Sequence, residues 1–368
     1  AVQGNTITAF GDDDGLYVDT DGTVEVRDFI ILPDPGLGDD IIMAVPGGTT
    51  SLDLTLENLH VAPNDGSNAP LIPLSAADDV TVDTSNGSAT YIGNDGIYLF
   101  GSDALSIGRA GTMNVTVTNV RVFGVTGDDA FVIYPGTNGT TNLSGVVVNT
   151  AADDGVQLGM TLDDFGRQGS HTITGTEDNP GLLLIDTGDG LSYFEGETAT
   201  IDHLVIVNTA GGVTQAAILA SIAETETMDI TDSAFQDNVI GIIVTDTPAS
   251  PDTFTMNLTN STFVGNDEAL VIDASTDGQV TVNVTDTIFS GSGDTGIAIR
   301  SGAAGITNLD YVVLDTNLGT DIDGAVTSNT NGLSLSPGFV STSLSTLGTD
   351  YLDVNNSALE AAASDGSD

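Results

Sequence analysis

Met228-Asp-Ile-Thr-Asp-Ser-Ala-Phe235, Met256-Asn-Leu-Thr-Asn-Ser-Thr-Phe263 and Val282-Asn-Val-Thr-Asp-Thr-Ile-Phe289 repeat one pattern, apolar-x-apolar-x-Asx-x-x-apolar. Their closing phenylalanines lie 28 and then 26 positions apart. A motif that returns at such a period is the mark of a solenoid, in which each coil cannot bury its inner face alone and stacking closes it. Carried outward, the same anchor slot falls on Ile31, Val61, Val122, Val148, Ile206 and Val313, and more loosely on Phe10 and Phe339. Two coils, near residues 92 and 178, fit the template poorly but fill gaps of the right size.

The slot three residues before each anchor carries Asp28, Asn58, Asn119, Asp232, Asn260, Asp286 and Asp310, with His203 and Gly145 as exceptions. A tight bend between two strands calls for the left-handed backbone region, which Asn and Asp tolerate best after Gly. Stacking sets these side chains above one another as a hydrogen-bonded ladder. After each anchor comes a Gly/Asp turn and a second strand, as in Gly96-Ile-Tyr-Leu99, Ala130-Phe-Val-Ile133, Gly241-Ile-Ile-Val244 and Gly296-Ile-Ala-Ile299. Alternation along each strand sends one set of side chains inward. The expected fold is therefore all-β: a single-domain right-handed parallel β-helix over 1–356, with about a dozen coils of three short strands, at ~4.8 Å per coil. Residues 357–368 read as a short C-terminal cap and an acidic tail.

Composition narrows the function. The chain has 53 acidic residues against five arginines and no lysine, for a net charge of −48. Nothing here neutralises phosphates, so nucleic acid is excluded as a partner. An acidic surface of this kind suits salty surroundings, where counterions screen it. The absence of cysteine rules out a disulfide framework and thiolate metal sites. No apolar run reaches the roughly 18 residues of a membrane span. The start at Ala1 reads as a processed N-terminus, and the expected location is extracellular, at the cell surface.

These coils resemble the pectate-lyase-like superfamily of right-handed β-helices. Ser336-Pro-Gly-Phe-Val340, Gly348-Thr-Asp-Tyr-Leu352 and Asn356-Ser-Ala-Leu359 look like the closing segment of bacterial and archaeal secreted surface β-helix proteins. The resemblance covers nearly the whole chain and implies the fold. It is weak on function, because lyases, hydrolases, adhesins and passive rods share that fold.

Candidate sites follow from the acidic turns. Asp39, Asp40, Asp95, Asp128, Asp129, Asp153, Asp154, Asp267 and Glu268 precede the second strands and stack as an acidic column. Unit charges ~4.8 Å apart repel by about 0.9 kcal/mol even in water. Ca²⁺, which takes six to eight carboxylate and carbonyl oxygens, is the expected bridging ion; solvated Asp-Gly turns with diffuse counterions are the plainer reading. Gly127-Asp-Asp-Ala-Phe131 and Asn94-Asp-Gly-Ile97 resemble two motifs of polygalacturonase-type hydrolases, which makes Asp95, Asp128 and Asp129 acid–base candidates. That family's Gly-His-Gly is absent and its Arg-Ile-Lys cannot exist without lysine. Gly291-Ser-Gly-Asp-Thr-Gly296 precedes a strand rather than the helix a dinucleotide site needs. Asp19-Thr-Asp-Gly22 has Tyr17 in the first ligand position of an EF-hand, and His60, His171 and His203 lack metal-ligand spacing. Thr-x-Thr pairs such as Thr116/Thr118 are the residues of an ice-binding face, but they do not recur in register, and outward threonine on strands explains them better. Sequons place glycan acceptors at Asn86, Asn114, Asn138, Asn142, Asn257, Asn260, Asn283 and Asn355. The expected role is a structural β-solenoid of a surface layer, filament, sheath or adhesin. It would associate end to end with other copies and contact cell-surface glycans, and it is expected not to be an enzyme; the alternative is a carbohydrate-active or carbohydrate-binding β-helix, polygalacturonase- or lyase-like, with a groove near Asp95 and Asp129.

Overall fold

A computed structural model of the chain describes residues 2–3, 6–8, 16–19, 22–32, 42–45, 51–61 and 97–100, and most of 112–330. Among these residues there is strand and turn but no helix, and hence no helix long and apolar enough to cross a membrane. The strands form one parallel β-solenoid. Its first face is an unbroken parallel ladder that runs through Val2–Gln3, Gly22–Leu32, Ser51–Val61, Thr112–Thr118, Thr140–Ser144, Ser170–Ile173, Thr198–Asp202, Glu226–Thr231, Thr253–Thr259, Gln279–Thr285, Ile306–Asp310 and Ser328–Thr330. Every rung bonds to the one before it, so the backbone groups of each coil are satisfied by its neighbours along the axis.

Alternation fills the interior. On the first face Leu54, Val115, Thr141, His171, Ala199, Met228, Met256 and Val282 share one inward file. The anchor slot forms a file on the second face, where Phe235, Phe263 and Phe289 stack with centroids 4.6 and 4.8 Å apart. All three rings are fully buried, and dispersion between them adds to the burial of their apolar surface.

The described residues do not divide into equal three-strand coils. Asn114 sits over Asp53 across 61 residues, whereas Asn283 sits over Asn257 across 26. Gly22–Leu32, Ser51–Val61, Val146–Leu158 and Leu182–Phe194 each run two strands together. The poorly fitting coil near 178 has Leu184 in the anchor slot, between Val148 and Ile206. At the N-terminal end the slot over Ile31 belongs to Ile7 rather than Phe10. At the far end Leu314, not Val313, pairs with Phe289. Phe339, the closing segment, and the cap and tail over 357–368 lie outside the described residues.

The Asx slot is a file of left-handed residues: Asp28, Asn58, Asn119, His203, Asp232, Asn260 and Asp286 have φ between 49 and 57°. Asp310 is a correction. The bend of that coil comes one residue later, at Tyr311, with φ 52°. Asn58 donates to Asp28 at 2.9 Å, Asn119 to Asn58 at 3.3 Å, and Asn260 to Asp232. A second left-handed file, two residues past each anchor, holds Thr150, Asp186, Asn208, Asp237, Gly265 and Gly291. Inside the turns, Asn238 and Asn266 are buried and clip one coil to the next: the backbone N–H of Asn238 donates to Oδ1 of Asn266 at 3.0 Å, and Nδ2 of Asn266 donates to the carbonyl of Phe235 at 2.9 Å.

The outward files of the first face are equally regular. Thr116, Asn142, Thr172, Thr200, Asp229, Asn257, Asn283 and Asn308 align, flanked by one file through Thr227, Thr255 and Thr281 and another through Thr231, Thr259 and Thr285. The Thr-x-Thr pair at Thr116/Thr118 does not recur in register, since it faces Asn142 and Ser144, but single outward threonines do recur over three coils.

Candidate functional site

Among the described residues the acidic column is interrupted before Glu268 and contains a residue, Asp189, that the sequence reading missed. Its members share the position that opens the strand of each coil on a third face, built among others from Ala216–Ile222, Ile240–Asp246 and Glu268–Asp273. The backbone N–H of Asp154 donates to Oδ1 of Asp129 at 2.8 Å, which puts those two in successive coils. Asp154 pairs with Asp189 in the next coil, and Asp189 Oδ1 accepts the backbone N–H of Ala216 at 2.6 Å. After that the position passes to Ala216, Ile240, Glu268, Thr295 and Thr320. Two neutral coils thus separate Glu268 from the Asp129–Asp154–Asp189 group. Glu268 makes its own ion pair with Arg300, and Asp267 beside it is exposed. Asp39, Asp40, Asp95 and Asp128 lie outside the described residues, and so do the sequons at Asn86, Asn138 and Asn355.

Stacking carboxyls at coil spacing has a predictable electrostatic result. Asp154 is 5% exposed. Burial pushes its carboxyl up to about 9, helped by the charges of Asp129, Asp189 and Asp153 and opposed by the hydroxyl of Ser192, which donates to Oδ1 at 2.7 Å. Asp189, less buried, is raised to about 6, again by burial first, against the Ala216 N–H that favours its charged form. Near neutral pH Asp154 is therefore protonated. Protonation removes the repulsion that a fully ionised stack would carry.

Asp153, Asp154 and Asp189 each bring a carboxylate oxygen within 4.8 Å of the others. An all-oxygen set of this kind fits a hard cation such as Ca²⁺ or Mg²⁺ better than a transition metal. A second group, Asp202, His203 and Asp232, meets the same distance at the edge of the first face. There the imidazole Nδ1 lies 2.9 Å from Asp202 Oδ1, and Thr231 donates to the same oxygen at 3.1 Å. Sequence spacing hid this group because its members come from successive coils.

Among the described sequons, four side-chain amides already serve as ladder donors. Nδ2 of Asn114 donates to Asp53, that of Asn257 to Asp229, that of Asn260 to Asp232 and that of Asn283 to Asn257. Asn142 is exposed on the same face.

No family model matches the chain, and neither a curated protein nor a solved structure matches it. Its class, a parallel β-solenoid, rests on the strand pairings themselves.

Proposed function

We propose that the chain is a structural β-solenoid of the pectate-lyase-like kind that works outside the cell, in a surface layer, filament, sheath or adhesive structure, joins other copies end to end and is stabilised by Ca²⁺. The observation that carries this reading is the stitching of coil to coil by side chains as well as by backbone. Asp28–Asn58–Asn119 runs along one edge, and Asp229–Asn257–Asn283–Asn308 along the first face. Such files stiffen a rod over its length, which is what a spacer or fibre needs. A parallel coil also points its N–H and C=O groups along the axis, so a terminal rung is a template for another chain. Contact between unlike ends does not close on itself and gives filaments. The −48 charge opposes sideways clumping and leaves the ends as the favoured contact, more so when Ca²⁺ or salt screens the sides. Electron microscopy and light scattering, with and without millimolar Ca²⁺, test this. End-joined rods are expected; monodisperse monomers in every condition would overturn it.

The Asp129–Asp154–Asp189 group favours one other reading, a carbohydrate-active or carbohydrate-binding β-helix. Stacked carboxyls of unequal acidity are the tools of glycoside hydrolysis. Release of reducing ends from a panel of polysaccharides, abolished in Asp189→Asn, would put this reading in place of the first.

A further inference from the structure

We propose that the outward side of the first face binds an ordered lattice of water, the surface of ice. Thr227, Thr255 and Thr281 form one file and Thr231, Thr259 and Thr285 a parallel one, all in register through the pairings of their strands. Successive coils repeat at ~4.8 Å and alternate residues on a strand at about 6.6 Å. The two threonine files stand four residues apart, about 13 Å, with the Asp229–Asn257–Asn283 file midway between them. Hydroxyl, methyl and amide groups together thus repeat in two dimensions, at spacings of the size at which oxygen atoms repeat in the surface planes of ice.

Between these files the side chains are held in place. Asn308 donates to Asn283 at 2.8 Å, Asn283 to Asn257 at 2.8 Å and Asn257 to Asp229 at 2.6 Å. A face already ordered before contact loses little entropy on meeting a lattice.

Charge distribution identifies the occupant. In a chain with 53 acidic residues, the three outward files carry only Asp202 and Asp229 between Asn114 and Thr285, although beyond that stretch the same files hold Glu25, Asp53 and Glu57 at one end and Asp310 at the other. A face that served solubility alone would carry its share of the charge; this one matches a neutral surface. The corresponding positions of the other two faces hold Val147, Leu183 and Val205, and Leu219, Ile243 and Val271, which pack into apolar clusters of their own rather than forming a polar array. The described files hold no aromatic ring on which a sugar polymer would stack. A second copy would bring its own −48 charge to the contact.

The inference does not depend on end-to-end joining, and its test reads a different quantity. Fluorescently labelled full chain is frozen slowly against a growing ice crystal, and the gap between the melting and freezing temperatures of a seed crystal is measured in its solution. That gap cancels the ordinary depression caused by salt. Wild type is expected to adsorb to ice, facet the crystal and open the gap. Thr255→Tyr raises a ring above the array and is expected to return all three readings to those of buffer, with an unchanged circular-dichroism melt. Thr262→Tyr, on the second face, is expected to behave as wild type. The proposal is overturned by wild type that leaves ice unmarked, or by Thr255→Tyr as active as wild type. It is overturned equally if the Thr255-sensitive partner proves to be microcrystalline chitin or cellulose, or a second copy of the chain.

Discussion

Ser192 donates its hydroxyl to Asp154 Oδ1 at 2.7 Å, and both residues are buried, at 1% and 5% exposure. That bond favours the charged carboxylate, yet burial and the neighbouring aspartates outweigh it and raise Asp154 to about 9.

The first prediction follows from that balance. A carboxyl whose folded value lies above its unfolded one contributes stability that is complete below the unfolded value, 3.8, and is lost as pH rises through about 9. Over that window the folded chain holds a proton that the unfolded chain has released. Asp154→Asn keeps the shape and an acceptor for Ser192 but cannot ionise. In chelator, its melting temperature relative to wild type should climb from pH 4 to pH 9 and then level off. A constant offset across that range would show that Asp154 ionises freely in the folded chain.

His171 gives the opposite slope. It occupies the inward file between Thr141 and Ala199, edge-on to Tyr193 with centroids 5.9 Å apart. Neither ring nitrogen has a hydrogen-bond partner among the described residues, and burial lowers the imidazole from 6.5 to about 4. A base whose folded value is depressed stays neutral in the core, while the unfolded chain takes up a proton. Stability is thus complete above pH 6.5 and is lost as pH falls toward 4. His171→Leu should flatten this acid limb in melts recorded between pH 7 and pH 4. An acid limb as steep as that of wild type would assign the loss to other groups.

The Asx file supplies a pair of substitutions with opposite signs. Asn260 has φ 50° and donates to Asp232, so Asn260→Val should destabilise by about 1–3 kcal/mol. Tyr311 bends at φ 52° with a bulky side chain that gains nothing from the left-handed region. Tyr311→Asn should therefore stabilise by about 1 kcal/mol. Denaturant midpoints of the two variants check both; a shift of the same sign in each would mean that side-chain contacts outweigh backbone strain.

Which features the sequence reveals depends on how local they are. Phe235, Phe263 and Phe289 expose the repeat because three consecutive coils have nearly the same length and the same large anchor. The bend at Asn260 is legible because its chemistry lies in one residue. Asp189 was hidden because its coil carries Leu184 where the template looks for a match after an Asx. It joins Asp154 only through strand pairing. The threonine files share the 28 and 26 spacing of the phenylalanines, and Thr231, Thr259 and Thr285 stand inside the repeated motif itself. The file through Thr116 is harder to see, because Thr116 and Asn142 are 26 residues apart but Thr55 and Thr116 are 61 apart. Buried Asn238 and Asn266 look like surface turn residues until the stack supplies their carbonyl partners.

The last prediction concerns Ca²⁺ at Asp153, Asp154 and Asp189, whose carboxylate oxygens lie within 4.8 Å of one another. An ion bound by the folded chain alone raises its stability by mass action, and the gain grows with the logarithm of free Ca²⁺ once sites fill. Melts in Ca²⁺ and in chelator, at matched ionic strength, should differ, with the higher midpoint in Ca²⁺. Matched ionic strength matters because a chain at −48 is also stabilised by any salt that screens it. Asp189→Asn removes one ligand and should shrink the difference, whereas Asp267→Asn, outside this cluster, should leave it unchanged. Binding must also displace the proton that Asp154 holds below about 9, so the effect of Ca²⁺ should increase from pH 6 to pH 9. Equal midpoints in Ca²⁺ and chelator throughout that range would reduce the cluster to a protonated turn surrounded by diffuse counterions.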